Sequence, residues 1–168
     1  MEALNFEELA EEVKNVLGGL AREITWRKGY LEVLVEAANI VEAAEKLKSM
    51  GLDHVKSVTA VDYPKESKIR VTYHASSYSR EELMRVIVGL SVDLPRDNPE
   101  MPSLVTVWNG SVEFQEREVY EFLGVTFRGH PDLRPLLLIR ELAEKKVLRK
   151  DFVVKEESIY EGIPFKYD

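Results

Sequence analysis

The chain has 168 residues, 45% apolar and 32% charged, with a formal charge of −7 and no cysteine. That length supports one well-buried core, and the composition is that of a globular protein. The missing thiols exclude cysteine nucleophiles, Cys-zinc sites and Cys-ligated iron–sulfur clusters, and the negative balance argues against a nucleic-acid surface.

No run approaches the roughly 20 apolar residues that span a bilayer. Met1 to Glu8 lacks a basic stretch followed by an apolar block, so no secretory leader is expected. Asn5, with Glu8 three residues on, predicts the start of a helix whose apolar face is Phe6, Leu9, Ala10, Val13, Val16 and Leu17. Gly18-Gly19 ends it. Trp26–Val35 alternates as a single strand. Asn39 is the expected cap of a second helix, running to Met50 and stopped by Gly51.

Val55–Tyr63 and Lys68–Ala75 predict a hairpin turned by Pro64-Lys65-Glu66-Ser67, with Ile69, Val71, Tyr73 and Ala75 on the core face. Ser79–Leu94 fits either period. Its β-branched content and the interior Gly89 decide for a strand at Arg85–Leu94. Three prolines, Pro95, Pro99 and Pro102, then predict an extended segment without regular structure. Helix is expected at Val112–Leu123, loop at Gly124–Pro135, helix again at Leu136–Val147, and an extended tail from Lys150. The fold class expected is α/β of the α+β kind. Residues 1–98 would form a domain of two helices and a mainly antiparallel four-stranded sheet, and residues 99–168 a helix-and-loop docking segment.

The segment from Glu116 to Arg134 mixes charge, aromatics, two glycines and one histidine. On a helix, Glu113, Arg117 and Glu121 share a stripe, placing one arginine between two carboxylates. Charged and aromatic residues fall on every face, which suits an interface better than a private core. A solvated helix is the bland alternative. His130, with Asp132, Glu116 and Glu118 near in sequence, is the tempting acid–base or metal candidate. It lacks a second nearby histidine or a Glu-x-x-His partner, so a turn residue bonded to backbone or to a partner is the preferred reading. Trp26 and Trp108 could stack a ligand, but core packing is the commoner role.

Glu116-Arg117-Glu118, Tyr120, Gly124 to Phe127 and Gly129-His130-Pro131-Asp132-Leu133-Arg134 resemble the signature of one NADH dehydrogenase family, that of the thirty-kilodalton subunit of complex I. Pro102-Ser103, Trp108 and Leu148-Arg149-Lys150-Asp151-Phe152 extend the resemblance. The chain has Phe114, Glu121 and Pro135 where that family usually carries Trp, Asp and Arg. Those departures, with its short, cysteine-free chain, suit the related archaeal membrane-bound hydrogenases and sulfur-reducing complexes, which use ferredoxin. They make that branch the expected one, with a subunit of an NADH:quinone oxidoreductase as the alternative.

The resemblance implies a non-catalytic peripheral-arm subunit that binds no cofactor itself, with iron–sulfur clusters in neighbouring subunits. Its implied partners are the large hydrogenase-like subunit, the small iron–sulfur subunit and, indirectly, the membrane arm. It implies no homo-oligomer and a place on the cytoplasmic side of the cell membrane. The residues named in the signature, Glu116 to Arg134, would make the partner contacts.

Overall fold

The structure, a computed structural model, describes residues 6–27 and 29–153. Helix α1 is Phe6–Leu17 and α2 is Ile40–Ser49. The main sheet has five strands: β1 Ala21–Arg27, β2 Tyr30–Val35, β3 His54–Tyr63, β4 Lys68–Ser76 and β5 Ile87–Pro95. They lie in the order β1-β2-β5-β4-β3, and every pair is antiparallel except β2 with β5. Two short strands, β6 Glu100–Pro102 and β7 Thr126–Arg128, pair in parallel beside it. Between them runs α3, Ser111–Leu123, and α4 is a single turn, Arg140–Ala143.

The mixed α/β fold and the mainly antiparallel sheet agree with the sequence reading, including the strand chosen for the ambiguous segment before Leu94. Four expectations change. Trp26–Val35 is not one strand but the meeting of β1 and β2, with Gly29 at positive φ between them, so the sheet has five strands and not the four expected. The proline-rich segment is extended, yet Glu100–Pro102 pairs with a stretch expected to be loop. Asn39 opens α2 without a side-chain cap bond. Leu136–Val147 is helical only over α4, for a reason found at the site below. The cap expected of Asn5, and the tail beyond residue 153, lie outside the described residues.

One face of the sheet carries the core. Ile69, Val71, Tyr73 and Ala75 of β4, Val88, Leu90, Val92 and Leu94 of β5, and Leu31, Val33 and Val35 of β2 meet Leu9, Val13 and Leu17 of α1 and Ile40, Ala43, Ala44 and Leu47 of α2. The same cluster continues through Met101, Leu104, Trp108, Val112, Val119, Leu123 and Phe127, on both sides of residues 98 and 99. Trp108 stacks on Tyr73 and its Nε1–H donates to the Leu52 carbonyl, so its amphipathic ring is packed in the core. Trp26, by contrast, is exposed. Helix α3 lies against edge strand β3, where the Val58 N–H donates to Gln115 Oε1. That contact blunts an edge that would otherwise offer free backbone donors.

The opposite face is a polar layer. The Arg70 guanidinium grips Asp93 of the neighbouring strand at 2.6 and 2.9 Å and reaches Glu32 at 3.2 Å, while Thr72, Ser91 and Glu32 form a chain. Gly89 on this face is required by Tyr30, because a Cβ there would sit 2.1 Å from the Tyr30 hydroxyl. Gly89→Ala is therefore expected to displace Tyr30 and lower stability by about 1–3 kcal/mol, the usual cost of overpacking. Thermal unfolding of Gly89→Ala, Tyr30→Ala and the double variant checks it. Strong non-additivity is the expected result, since removing the ring removes the clash.

Candidate functional site

Helix α3 sends two stripes in two directions. Val112, Glu116, Val119 and Leu123 turn toward the core, so a carboxylate sits in an apolar row. Glu116 is 0% exposed. Its Oε1 accepts from the Tyr73 hydroxyl at 2.8 Å and the Leu104 N–H at 2.8 Å, and its Oε2 accepts from the Ser103 hydroxyl at 2.6 Å. Burial pushes the Glu116 carboxyl above the usual carboxylate range, against the pull of those three donors. Burial, helped by the neighbouring Glu116 charge, also pushes the Tyr73 phenol well up. Tyr73 thereby remains a donor and Glu116 its acceptor. This joins the middle of the sheet, the Ser103-Leu104 turn and α3.

The second stripe, Glu113, Arg117 and Glu121, faces the segment 129–138. The arginine does not sit between two carboxylates as the spacing suggested. Its Nε and Nη2 donate to the carbonyls of Arg134 and Pro135, and its ion-pair partner, at 3.5 Å, is Asp132. Glu121 is 0% exposed and accepts from three successive backbone N–H groups, those of Leu136, Leu137 and Leu138. These are the donors that a helix starting at Leu136 would leave without partners in its first turn. With the carboxylate holding them and Pro135 just before, the chain bends around Glu121 and enters helix only at Arg140. That is why the helix expected there is short.

His130 is engaged by backbone on both sides. Its Nδ1 accepts from the Asp132 N–H at 3.0 Å, which leaves Nε2 as the protonated nitrogen, and Nε2–H donates to the Glu113 carbonyl at 3.0 Å. The ring is a strut between the start of α3 and the loop after β7. Glu116 and Asp132 do not converge on it, because the first is tied to Tyr73 and Ser103 and the second to Arg134 at 2.9 Å. Gly124 caps α3 in the left-handed region, its N–H donating to the Tyr120 carbonyl. A Cβ there would come 2.5 Å from Lys146 Cε. Phe127 is buried beside the core.

The residues expected to touch a partner thus divide. Glu116, Arg117 and Phe127 are buried by their own chain, because each completes an internal contact, and they position the loop rather than face outward. Glu118, Tyr120, Gly124, His130, Asp132 and Leu133 are half-buried, and Gly129, Pro131 and Arg134 are exposed. Exposed apolar residues stand next to them: Leu137 at 64%, Ile139 at 58% and Phe114 at 51%. The sequence reading missed Glu121 as the organiser of this loop, and also Asp62. The Asp62 side chain is 0% exposed, receives both the Arg96 fork and the Lys150 N–H, and is held below the usual carboxylate range chiefly by Arg96. In the sequence Asp62 is one more polar residue in an alternating strand, with no local signal.

Glu116→Ala leaves buried donors without an acceptor and should cost about 3 kcal/mol, whereas Glu116→Gln keeps an acceptor for Tyr73 and Leu104 and should cost far less. Because the folded carboxyl titrates above its unfolded value, the stability that Glu116 contributes is full at pH below about 4.5 and falls as pH rises through the folded value. The wild type should therefore outperform Glu116→Gln by more at pH 4 than at pH 7 in chemical denaturation. Glu121→Ala should raise amide exchange at Leu136–Leu138 while leaving exchange of the central strands unchanged.

The chain is similar to known proteins in sequence and in fold. Residues 33–158 match the family described as respiratory-chain NADH dehydrogenase, 30 Kd subunit. The chain is 38% identical to a subunit of the F(420)H(2) dehydrogenase of Methanosarcina mazei, over 80% of this chain and 77% of that protein. It is 36% identical to a subunit of the NADH-quinone oxidoreductase of Moorella thermoacetica, over 74% and 81%. In structure it is similar to a chain of the membrane-bound sulfane sulfur reductase, an archaeal respiratory membrane complex. The TM-score there is 0.81 at 26% identity, covering 97% of this chain and 96% of the other. A trypsin-resistant fragment of Nqo5 gives a TM-score of 0.63 at 27% identity, covering 77% and 100%. The chain belongs to the family of the thirty-kilodalton subunit of respiratory-chain NADH dehydrogenase.

Proposed function

We propose that this chain is a non-catalytic peripheral-arm subunit of a complex I-related, membrane-bound respiratory oxidoreductase, and that it docks on the large hydrogenase-like subunit. The observation that carries the reading is the segment 129–139. Its backbone is held by Arg117, Glu121 and His130, while Leu137 and Ile139 stand out to solvent. Exposed large apolar side chains on a pre-ordered loop suit a docking surface, because they gain by burial and little ordering entropy remains to be lost on binding. The small iron–sulfur subunit would lie close by and the membrane arm would be reached indirectly. The iron–sulfur clusters would belong to those neighbours, since a chain without cysteine has no thiolate to offer them. Attachment would be peripheral, on the cytoplasmic side; among the described residues no helix is long and apolar enough to cross a membrane.

For the branch, we favour the ferredoxin-linked archaeal type, of hydrogenase or sulfur-reductase character. The near end-to-end likeness to a chain of the sulfane sulfur reductase supports it. The second reading is the equivalent subunit of an NADH:quinone oxidoreductase, favoured by the identity to the Moorella protein. The test is to place a tag on this chain in its native complex and introduce Leu137→Asp with Ile139→Asp. The expected result is loss of the co-purifying large subunit by about 30-fold, the equivalent of about 2 kcal/mol, with the thermal unfolding of the isolated chain unchanged. Full retention of the large subunit would overturn the docking role of this loop.

A further inference from the structure

The C-terminal part of the docking segment has a charge that the whole chain does not. From Arg128 to Lys150 there are seven Lys or Arg and three Asp or Glu, a net of +4 in a protein of −7. At its end, residues 145–150 form a turn tied to two parts of the fold, the C-terminal end of α3 and strand β3. The Leu148 N–H donates to the Phe122 carbonyl, the Arg149 Nε–H donates to the Leu123 carbonyl, and the Lys150 N–H donates to the buried Asp62 carboxylate. Next to it, Arg96 bridges Asp62 and Asp151 at 2.7 Å each. Lys146 takes a left-handed φ of 50° and lays its aliphatic stem over Gly124, where a side chain would exclude it.

What this pinned turn offers outward is basic and apolar. Leu148 is 59% exposed at its centre, and Lys145 and Lys150 are exposed on either side. Elsewhere several surface cations are paired, Lys14 with Glu11, Arg22 with Glu36, Lys46 with Glu42, Lys68 with Glu66 and Arg128 with Glu100, while Lys48 and Lys56 donate to the carbonyls of Val107 and Met84. The turn differs in grouping its cations around one exposed apolar residue. Among the described residues, no carboxylate lies within ion-pairing distance of the ammonium groups of Lys145, Lys146 or Lys150. An uncompensated cationic group around one apolar residue, on a rigid backbone, is a prepared half of a charge-complementary contact.

We infer that the turn 145–150 docks an acidic surface of a partner subunit that also has an apolar recess for Leu148. This rests on the docking reading above and adds the chemistry of the partner's surface. A protein surface is favoured over an anionic lipid surface for two reasons. The turn presents one apolar side chain on a fixed backbone and not an amphipathic helix, and α4 beside it is only four residues long. The chain's overall charge of −7 also opposes approach to an anionic bilayer.

The test uses the native complex purified through a tag on this chain, with Lys145→Glu and Lys150→Glu introduced together and Lys145→Ala with Lys150→Ala as a milder pair. Both pairs leave the Lys150 backbone bond to Asp62 in place, and thermal unfolding of the isolated chain checks that the fold is kept. Retention of the large subunit through washes of rising salt is the readout. The expected result is about 10-fold lower retention for the charge reversal at moderate salt, an intermediate loss for the alanine pair, and a wild type that loses its advantage at high salt. Retention that ignores both charge and salt would overturn the inference. The docking reading itself would survive that outcome if Leu137→Asp with Ile139→Asp still released the large subunit. Binding of the isolated chain to vesicles with about 30% anionic lipid but not to neutral vesicles, abolished by the reversal, would also overturn it and assign the turn to a membrane surface.

Discussion

A buried carboxylate at the junction of three elements holds this fold together. Glu116 projects from α3 into an apolar row and is taken up by the Tyr73 hydroxyl from the middle of β4 and by the Ser103 hydroxyl and Leu104 N–H after β6. Hydrophobic contact alone would let α3 slide along the sheet, because apolar packing is not directional. A carboxylate with three fixed donors does not slide. The position of α3 along β3 is therefore set by hydrogen bonds whose loss leaves buried groups unpaired. Burial raises the carboxyl's affinity for a proton, so the arrangement specifies geometry at some expense of stability near neutral pH.

Once α3 is fixed, its second stripe orders a stretch of chain that has almost no secondary structure of its own. Arg117 reaches two carbonyls, Glu121 gathers three N–H groups, and His130 spans from Glu113 to Asp132. Each is a polar side chain bonded to backbone, the usual way in which a loop near a protein core satisfies its donors and acceptors. The order then passes to the turn after α4 through Asp62, Leu123 and Phe122. Among the described residues, one buried side-chain donor is left over: Arg149 Nη2 is without a partner, and burial lowers the affinity of that guanidinium for its proton.

Periodicity made the sheet, α1, α2 and α3 legible, because their apolar residues repeat at 2 or 3.6 and that repeat is itself the cause of their burial. It also revealed the unusual segment from Glu116 to Arg134. It did not reveal what the charges there do. Arg117 spaced four residues from Glu113 and from Glu121 looks like an ion-paired stripe, yet the Arg117 and Glu121 side chains and the Glu113 backbone carbonyl bond to a loop further along the chain, which no local pattern encodes. Trp26–Val35 alternates through the point where the chain reverses, so only Gly29 could have signalled two strands. Leu136–Val147 has helical spacing, but a carboxylate from another helix captures its first donors and overrides that propensity.

The division between buried and exposed members of the signature bears on how such a surface can be specific. If Glu116 and Arg117 pointed at a partner, both would have to be desolvated on association, and each would leave a costly unpaired charge whenever the fit was imperfect. Placed inside, they are desolvated once, during folding, and their contribution is an ordered loop. On the proposed docking, the partner would meet Leu137, Ile139 and the cationic turn around Leu148, groups with little freedom to lose because the backbone beneath them is tied to α3 and to Asp62. Substitution of the internal charges and substitution of the exposed side chains should consequently weaken assembly through different routes, the first by disordering the loop and the second by removing its contacts.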